Sequence, residues 1–357
     1  MRLYGSIRLS ALRHNLSRVR DFSPASKIMG VVKSNGYGHG LVRVAKALQS
    51  GVDAFAVATV DEAAQLREPG ITKPICVLSG FCESDHVPVV QAGQIDCVIY
   101  CDEQLELLRW IRSGNRVSIW IKVDTGMNRL GFPIHELPNV LKTIEAIPLL
   151  ELKGVISHFA CADESDSNFT SVQLDRFRQS TAGVDVDRSI ANSAAIVSLK
   201  ESHFDWVRPG IMLYGASPIA GMSSKQLGLK PVMELYSTIL SVKQVRAGEA
   251  VGYGQTWICS ENSRIGIVGC GYGDGYPRNA SSKARVLIEG TAADVVGRVS
   301  MDTLAVNLNR HQDVRAGSSV KLFGEGLPVE DLANAAGTIS YEVMTSISSR
   351  SVLFREH

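Results

Sequence analysis

The chain has 357 residues, 45% of them hydrophobic and 20% charged, and its 37 lysines and arginines offset 36 aspartates and glutamates to leave a net charge of +1. That balance excludes a disordered chain and removes any electrostatic reason to expect a nucleic-acid partner. No apolar run approaches the roughly 20 residues of a membrane span, and the N-terminus, MRLYGSIRLSALRHN, has no apolar leader core, so a cytoplasmic protein without a membrane partner is expected.

Across the first two thirds of the chain, short β-branched apolar runs alternate with segments of helical period. Strands are predicted at 28–32, 54–58, 75–79, 95–100, 117–123, 152–158, 188–191 and 204–207. Thr59 or Asp61 is placed to cap a helix running to Arg67 before Pro69. Within 103–112, Leu105, Leu108 and Ile111 recur every three residues ahead of Gly114, and within 136–147 Leu137, Val140, Leu141, Ile144 and Ile147 share one face. Eight such units in roughly 200 residues match a closed (β/α)8 barrel of the TIM type. A doubly wound open sheet is the alternative, but no Gly-x-Gly-x-x-Gly opens a helix here. The rhythm breaks near 221–231, and strands then follow one another at 235–242, 264–270, 284–288, 293–296, 304–307 and 320–323. The expected organisation is a barrel over 1–228 followed by an all-β domain of about 130 residues over 229–357. Seven cysteines, at 76, 82, 97, 101, 161, 259 and 270, contain no Cys-x-x-Cys, which argues against a disulfide framework or a metal site.

A β/α barrel carries its chemistry at the carboxyl ends of its strands. Strand one ends at Lys33, inside VVKSNGYGHG. Strand five runs through Lys122 into DTGMNRLG, which holds Arg129. Strand six ends at His158, strand seven at Asn192 and Ser193, and strand eight at Arg208, followed by Pro209, Gly210 and Ile211. Lys33 is either an ion-paired lysine at the barrel mouth or a Schiff-base lysine. In the second case cations such as Arg129 and Arg208 favour its neutral, nucleophilic form. Ser193 is either an ordinary N-cap for AAIVSL or, with the Gly210 and Ile211 amides, a phosphate ligand in the corner where barrels often hold one. A Schiff-base lysine and a phosphate corner on one face together point to pyridoxal 5'-phosphate. The glycine-flanked tyrosines of the second domain, Tyr253, Tyr272 and Tyr341, carry little weight alone.

Taken in order, VVKSNGYGHG, KVDTGMNRLG, SHFACADE, ANSAA, HFDWVRPGIMLYG, VGYGQTW, GYGDGYPR, GRVSMD and SYEV resemble the alanine racemases, over about residues 27 to 348. The resemblance implies a pyridoxal-phosphate isomerase with an N-terminal barrel and a C-terminal β domain. It also implies a head-to-tail homodimer acting on alanine. Lys33 would form the internal aldimine and act as one base; Tyr253, from the partner subunit, would be the other. Arg208 would donate to the pyridine nitrogen, and His158 would support Arg208 and a neighbouring tyrosine network. Tyr37, Ser193, Gly210, Ile211 and Tyr341 would hold the phosphate. Arg129 would bond to the phenolic oxygen of the cofactor and to the substrate carboxylate, and Met301 would donate its amide to that carboxylate. Asp163, Tyr272, Arg278 and Tyr341 would line the entrance. Lys122 matches a lysine that some members carbamylate. Ser34 and Gly36 stand where the family has alanine, and Gly36 is expected to loosen the backbone beside Tyr37.

Racemisation removes a proton from one face of a carbon and returns it to the other, which suits two bases from different domains. A tyrosine base is favoured as phenolate by nearby cations, for which His158 and Arg208 are candidates. Arginine does not surrender its proton to a ring nitrogen, so the cofactor would be a weaker electron sink and side reactions would be suppressed. Three other readings share parts of the pattern. Fold-related decarboxylases pair the ring nitrogen with a glutamate, where Arg208 stands here. Non-catalytic cofactor-binding barrels lack the second domain. A racemase of serine or broader range is compatible with every motif quoted.

Overall fold

The computed structural model describes residues 2–81, 83–109, 111, 113–164, 167–347 and 353–356. The expected Cys82, the Arg112 end of the 103–112 helix and the far limit of the resemblance at residue 348 lie outside them.

Eight parallel strands, Lys27–Val31, Ala54–Val57, Ile75–Val77, Ile95–Ile99, Val117–Asp124, Leu150–Ile156, Asp187–Asn192 and Trp206–Arg208, pair in chain order. The eighth pairs with the first through Val207 and Ile28, so the sheet closes into a barrel. Their apolar runs are near-continuous because both faces are covered: Phe55, Ile75, Val77, Ile119, Ile121, Val155, Ile190 and Val207 are all buried. Thr59 rather than Asp61 caps the helix Val60–Arg67, accepting from Glu62 N at 3.2 Å. Strand eight begins two residues later than expected, since Phe204 takes a φ of 45° that breaks an extended run. The helix predicted over 103–112 spans Asp102–Arg109.

The helix Leu9–Phe22 precedes the barrel in sequence yet packs against Leu41–Leu48 and the 3-10 turn Ile211–Tyr214. Asn15, fully buried on it, donates to Leu213 O and Lys230 O and accepts from Lys230 N, at 2.8–3.0 Å. A buried amide with its donors and acceptor engaged ties the strand-eight exit to the segment entering the second domain.

The second domain is an antiparallel ring of six strands: Met233–Val245, Ser263–Val268, Leu304–Asn307, Thr291–Val296, Arg285–Ile288 and Ser319–Phe323. Two features differ from expectation. The first strand of the chain, Leu3–Ile7, pairs with Met233–Val245 and with Leu353–Glu356, so it lies in the second domain's sheet although it precedes the barrel. The domain is also not all-β: helices Val329–Ala336 and Ser340–Ser346 follow the last ring strand. Val329, Leu332 and Ala333 are buried at i, i+3 and i+4, a helical period too short to stand out beside the strand pattern. The second of these helices packs on the turn after barrel strand one. Among the described residues, no helix is long and apolar enough to cross a membrane.

Burial pushes Asp96, on the fourth barrel strand, up to about 6, with Lys153 drawing it back and Glu151 adding to the rise. The folded value lies above that of an unfolded aspartate near 3.9, so its stabilising contribution is full below about pH 4 and lost as pH rises through about 6. Asp96→Asn cannot ionise. It is expected to be more stable than wild type by up to about 3 kcal/mol at pH 8, with the difference vanishing near pH 3.5. Urea unfolding at the two pH values checks this.

Candidate active site

Strand one delivers buried Val31 and Val32 and then Lys33. The next five residues wind left-handed: Ser34, Asn35, Gly36, Tyr37 and Gly38 have φ of 54, 54, 61, 51 and 81°. Each non-glycine residue in that conformation costs roughly 1–2 kcal/mol, so neighbours must hold the turn. Glu62 accepts from Ala58 N at 2.9 Å and from Asn35 N at 3.3 Å, bridging the exits of strands one and two. The Asn35 side chain accepts from Leu41 N at 2.9 Å. Gly36, at a φ of 61°, takes the left-handed conformation without the strain its non-glycine neighbours bear. Gly38 has no room for a side chain: a Cβ there would lie 2.3 Å from Met344 O, where helix Ser340–Ser346 packs. That contact brings Tyr341 of the second domain to within 5.8 Å, ring to ring, of Tyr37.

Tyr37 stacks on Tyr214 with centroids 4.6 Å apart, and the Tyr214 hydroxyl donates to Val31 O at 3.0 Å. A Cβ on Gly210 would stand 2.6 Å from the Tyr37 hydroxyl, so only glycine permits that approach. Gly210 N donates to Ser193 Oγ at 2.8 Å. Asn192, not Ser193, caps the helix Ser193–Ser198 by accepting from Ala195 N at 3.0 Å, which corrects the reading of Ser193 as a plain N-cap. Ser193 therefore keeps its own O–H to donate. Buried Ile211 opens the 3-10 turn immediately beyond.

Lys33, Tyr37, Ser193 and Gly210 line one cavity of about 710 Å3, together with Lys122, Arg129, His158, Arg208, Tyr341 and Glu342. Four cations, Lys33, Lys122, Arg129 and Arg208, face it against the single carboxylate of Glu342. The Arg208 guanidinium is buried, donating to Ser189 Oγ and Ser157 O at 2.6 Å each. Burial draws it down to about 10, still a cation at neutral pH. Among the described residues it has no carboxylate partner. An unpaired buried cation favours an acceptor or anion from outside the chain.

Its third contact is His158 Nδ1 at 3.4 Å. Burial first, and then Arg208, Lys122, Arg129 and Lys33, hold His158 well below its usual value. The ring is neutral, so His158 contributes hydrogen bonds and not the second cation expected of it. Burial and the neighbouring Arg208, Arg129 and Lys33 lower Lys122 to about 8. Lys122 forms no ion pair among the described residues, because the nearby Asp124 carboxylate accepts from Gly126 N and Asn128 N and so shapes the loop carrying Arg129. Burial and then Arg129 also lower Lys33, with Glu62 opposing them. Lys33 is not ion-paired among the described residues, and an amine of lowered basicity is the nucleophilic form.

The remaining sequence-predicted residues lie elsewhere. Asp163 is exposed beside Tyr341, in a neighbouring cavity. Tyr253, Met301 and Tyr272 are 68%, 55% and 40% exposed in the single chain, and Arg278 is exposed too. Their loops adjoin one another: Tyr272 N donates to Ser300 O and Gly273 N to Met301 O, while Gly252 abuts Arg298 N. They form one surface patch of the second domain, outside the cavity lining. Sequence reading assigned no role to Glu62, Asn35, Ser157, Ser189 or Tyr214. Ser157 and Tyr214 stood inside quoted motifs, but their partners come from distant strands.

A β/α barrel that gathers lysines and arginines around one cavity at the carboxyl ends of its strands is the class these features define. Residues 7–218 match the family described as alanine racemase, N-terminal domain, and residues 232–353 match its C-terminal domain. The chain is 44% identical to the alanine racemase of Vibrio cholerae, with 96% of this chain and 95% of that protein covered, and 43% identical to that of Vibrio vulnificus strain CMCP6, with 96% of each covered. Its structure is similar to that of the biosynthetic alanine racemase from Pseudomonas aeruginosa, with a TM-score of 0.96 and 41% identity over 100% of this chain and 99% of that one. The chain belongs to the alanine racemase family.

Proposed function

We propose that this chain interconverts L-alanine and D-alanine, with pyridoxal 5'-phosphate bonded at Lys33. The observation that carries the reading is Lys33 itself: an unpaired amine of lowered basicity between a cationic wall and a corner built from Tyr37, Ser193 and Gly210. The residues fit the cofactor. Ser193 and Tyr37 line the cavity with hydroxyls that could donate to a phosphate, and Gly210 leaves the space beside them. The cofactor, when bound, supplies the electron sink that makes the α-hydrogen of alanine removable. Arg208, clamped by Ser157, Ser189 and His158, would donate to its ring nitrogen without giving up a proton. Arg129 holds the substrate carboxylate, and Lys33 moves the proton on one face of the α-carbon.

The base for the other face is Tyr253 of a second copy. The patch bearing Tyr253, Met301, Tyr272 and Arg278 is too exposed to serve its own cavity, and a head-to-tail homodimer places it over the partner's. The barrel, together with Tyr341 of the same chain's second domain, would then bind the cofactor, and the exposed patch bearing Tyr253 would complete the partner's site. Asp163 and Tyr341 flank the entrance. Polarimetry with a panel of L-amino acids tests the reading: rotation decays to zero for L-alanine. Equal decay for L-serine would move the assignment to a broader racemase, and carbon dioxide release would replace it with a decarboxylase.

Lys122 at about 8 has an appreciable neutral fraction at neutral pH, and the three neighbouring positive groups, Arg208, Arg129 and Lys33, favour converting it to an anion. Its amine would add to carbon dioxide and release a proton, giving a carbamate that orients Arg129. With 13C-bicarbonate at pH 8 a carbamate carbon resonance is expected; it should be absent in Lys122→Gln and fade as pH falls below 7.

A further inference from the structure

We propose that His39 is a positioning residue, locking the left-handed turn after Lys33 so that the Tyr37 hydroxyl is held in the phosphate corner. His39 is fully buried. Its Nδ1 lies 2.8 Å from Tyr37 O and 3.2 Å from Gly36 O. Both partners are carbonyls, so Nδ1 carries the proton and donates to each. Nε2 is then a bare acceptor, buried without a partner. Burial lowers the ring to about 4, so this neutral, donating form persists at any working pH. The same ring leans on Tyr214 at 4.7 Å, and Tyr214 stacks on Tyr37. His39 therefore grips Tyr37 through the backbone carbonyl and through the intervening ring.

The grip matters because of the conformation it opposes. Tyr37 sits at φ 51°, where a bulky residue rarely rests unaided. Released, the residue returns to negative φ and swings its phenol away from Gly210, against which it now lies. Lys33 is anchored by the strand before the turn, so the amine stays in place. The loss should fall on the phosphate end of the ligand.

The inference rests on the proposed cofactor, and the test separates the two. Apoprotein is titrated with pyridoxal 5'-phosphate and with pyridoxal, which lacks the phosphate, following tryptophan fluorescence. The ratio of the two dissociation constants reports the phosphate grip. In His39→Leu the preference for the phosphorylated ligand should fall about tenfold. His39→Asn, whose amide nitrogen overlays Nδ1, should keep it within about twofold. His39→Gln, with its amide further out, should lose it. A purely structural role would lower Tm and weaken both ligands alike; an unchanged ratio in the Leu and Gln variants therefore overturns the proposal. If the Leu variant does not fold, the Asn and Gln pair decides. A wild type with no preference for the phosphate overturns the cofactor reading and this inference with it.

Discussion

Lys33→Ala is expected to lower kcat/KM for alanine by at least about 10,000-fold, because it removes both the covalent anchor and one of two bases. The loss should leave the fold intact. Lys33 is only partly buried and makes no ion pair among the described residues, so the Tm of the apoprotein should change little. Borohydride treatment of wild-type holoprotein should fix the cofactor mass on the tryptic peptide containing Lys33, and nowhere in the variant. Retained turnover, or label on Lys122, the other lysine lining the cavity, would transfer the role to that residue.

Tyr253→Phe should lower racemisation by roughly 100- to 10,000-fold, the range for removing one general base. The two enantiomers of alanine have equal free energy, so kcat/KM must fall equally in both directions. The asymmetry appears elsewhere. The enantiomer whose proton Lys33 removes should still exchange its α-hydrogen with deuterium oxide while failing to invert; the other should do neither. Loss of exchange for both enantiomers would contradict the two-base assignment. Sharing of the site across a dimer makes a further demand. Mixed Lys33→Ala and Tyr253→Phe subunits should recover up to about one quarter of wild-type activity, since half the dimers are mixed and each carries one intact site. No recovery after verified subunit exchange would place Tyr253 and Lys33 in the same chain's site.

Legibility in the sequence followed the range of the interactions. The barrel was visible because parallel strands buried on both faces must be apolar runs, as in Ala54–Val57 and Ile75–Val77. The site's cations were visible because strand ends place them: Lys33 and Arg208 follow apolar runs directly. The Ser193 cap was misread because either Asn192 or Ser193 could cap the same turn. The choice depended on Gly210 N, 17 residues away, needing an acceptor. The left-handed turn around Gly36 was not legible, because Ser34, Asn35 and Tyr37 share its positive φ and only the glycine marks such a conformation in a sequence. His158 looked like a cation because a histidine's charge is set by its neighbours, here a buried site with four positive groups.

Periodicity, strand-end placement and the ordered motifs thus determined by themselves that this is a β/α barrel of the alanine racemase kind with Lys33 at its centre. These are local or near-local patterns, carried by spacing along the chain. The tertiary structure alone decided that Leu3–Ile7 joins the far domain, that Ser340–Ser346 carries Tyr341 back to Tyr37, that His158 is neutral, and that Tyr253 is exposed outside its own cavity's lining. Each of those depends on which surfaces meet across distant stretches of chain, and on the desolvation and charge that such meetings bring.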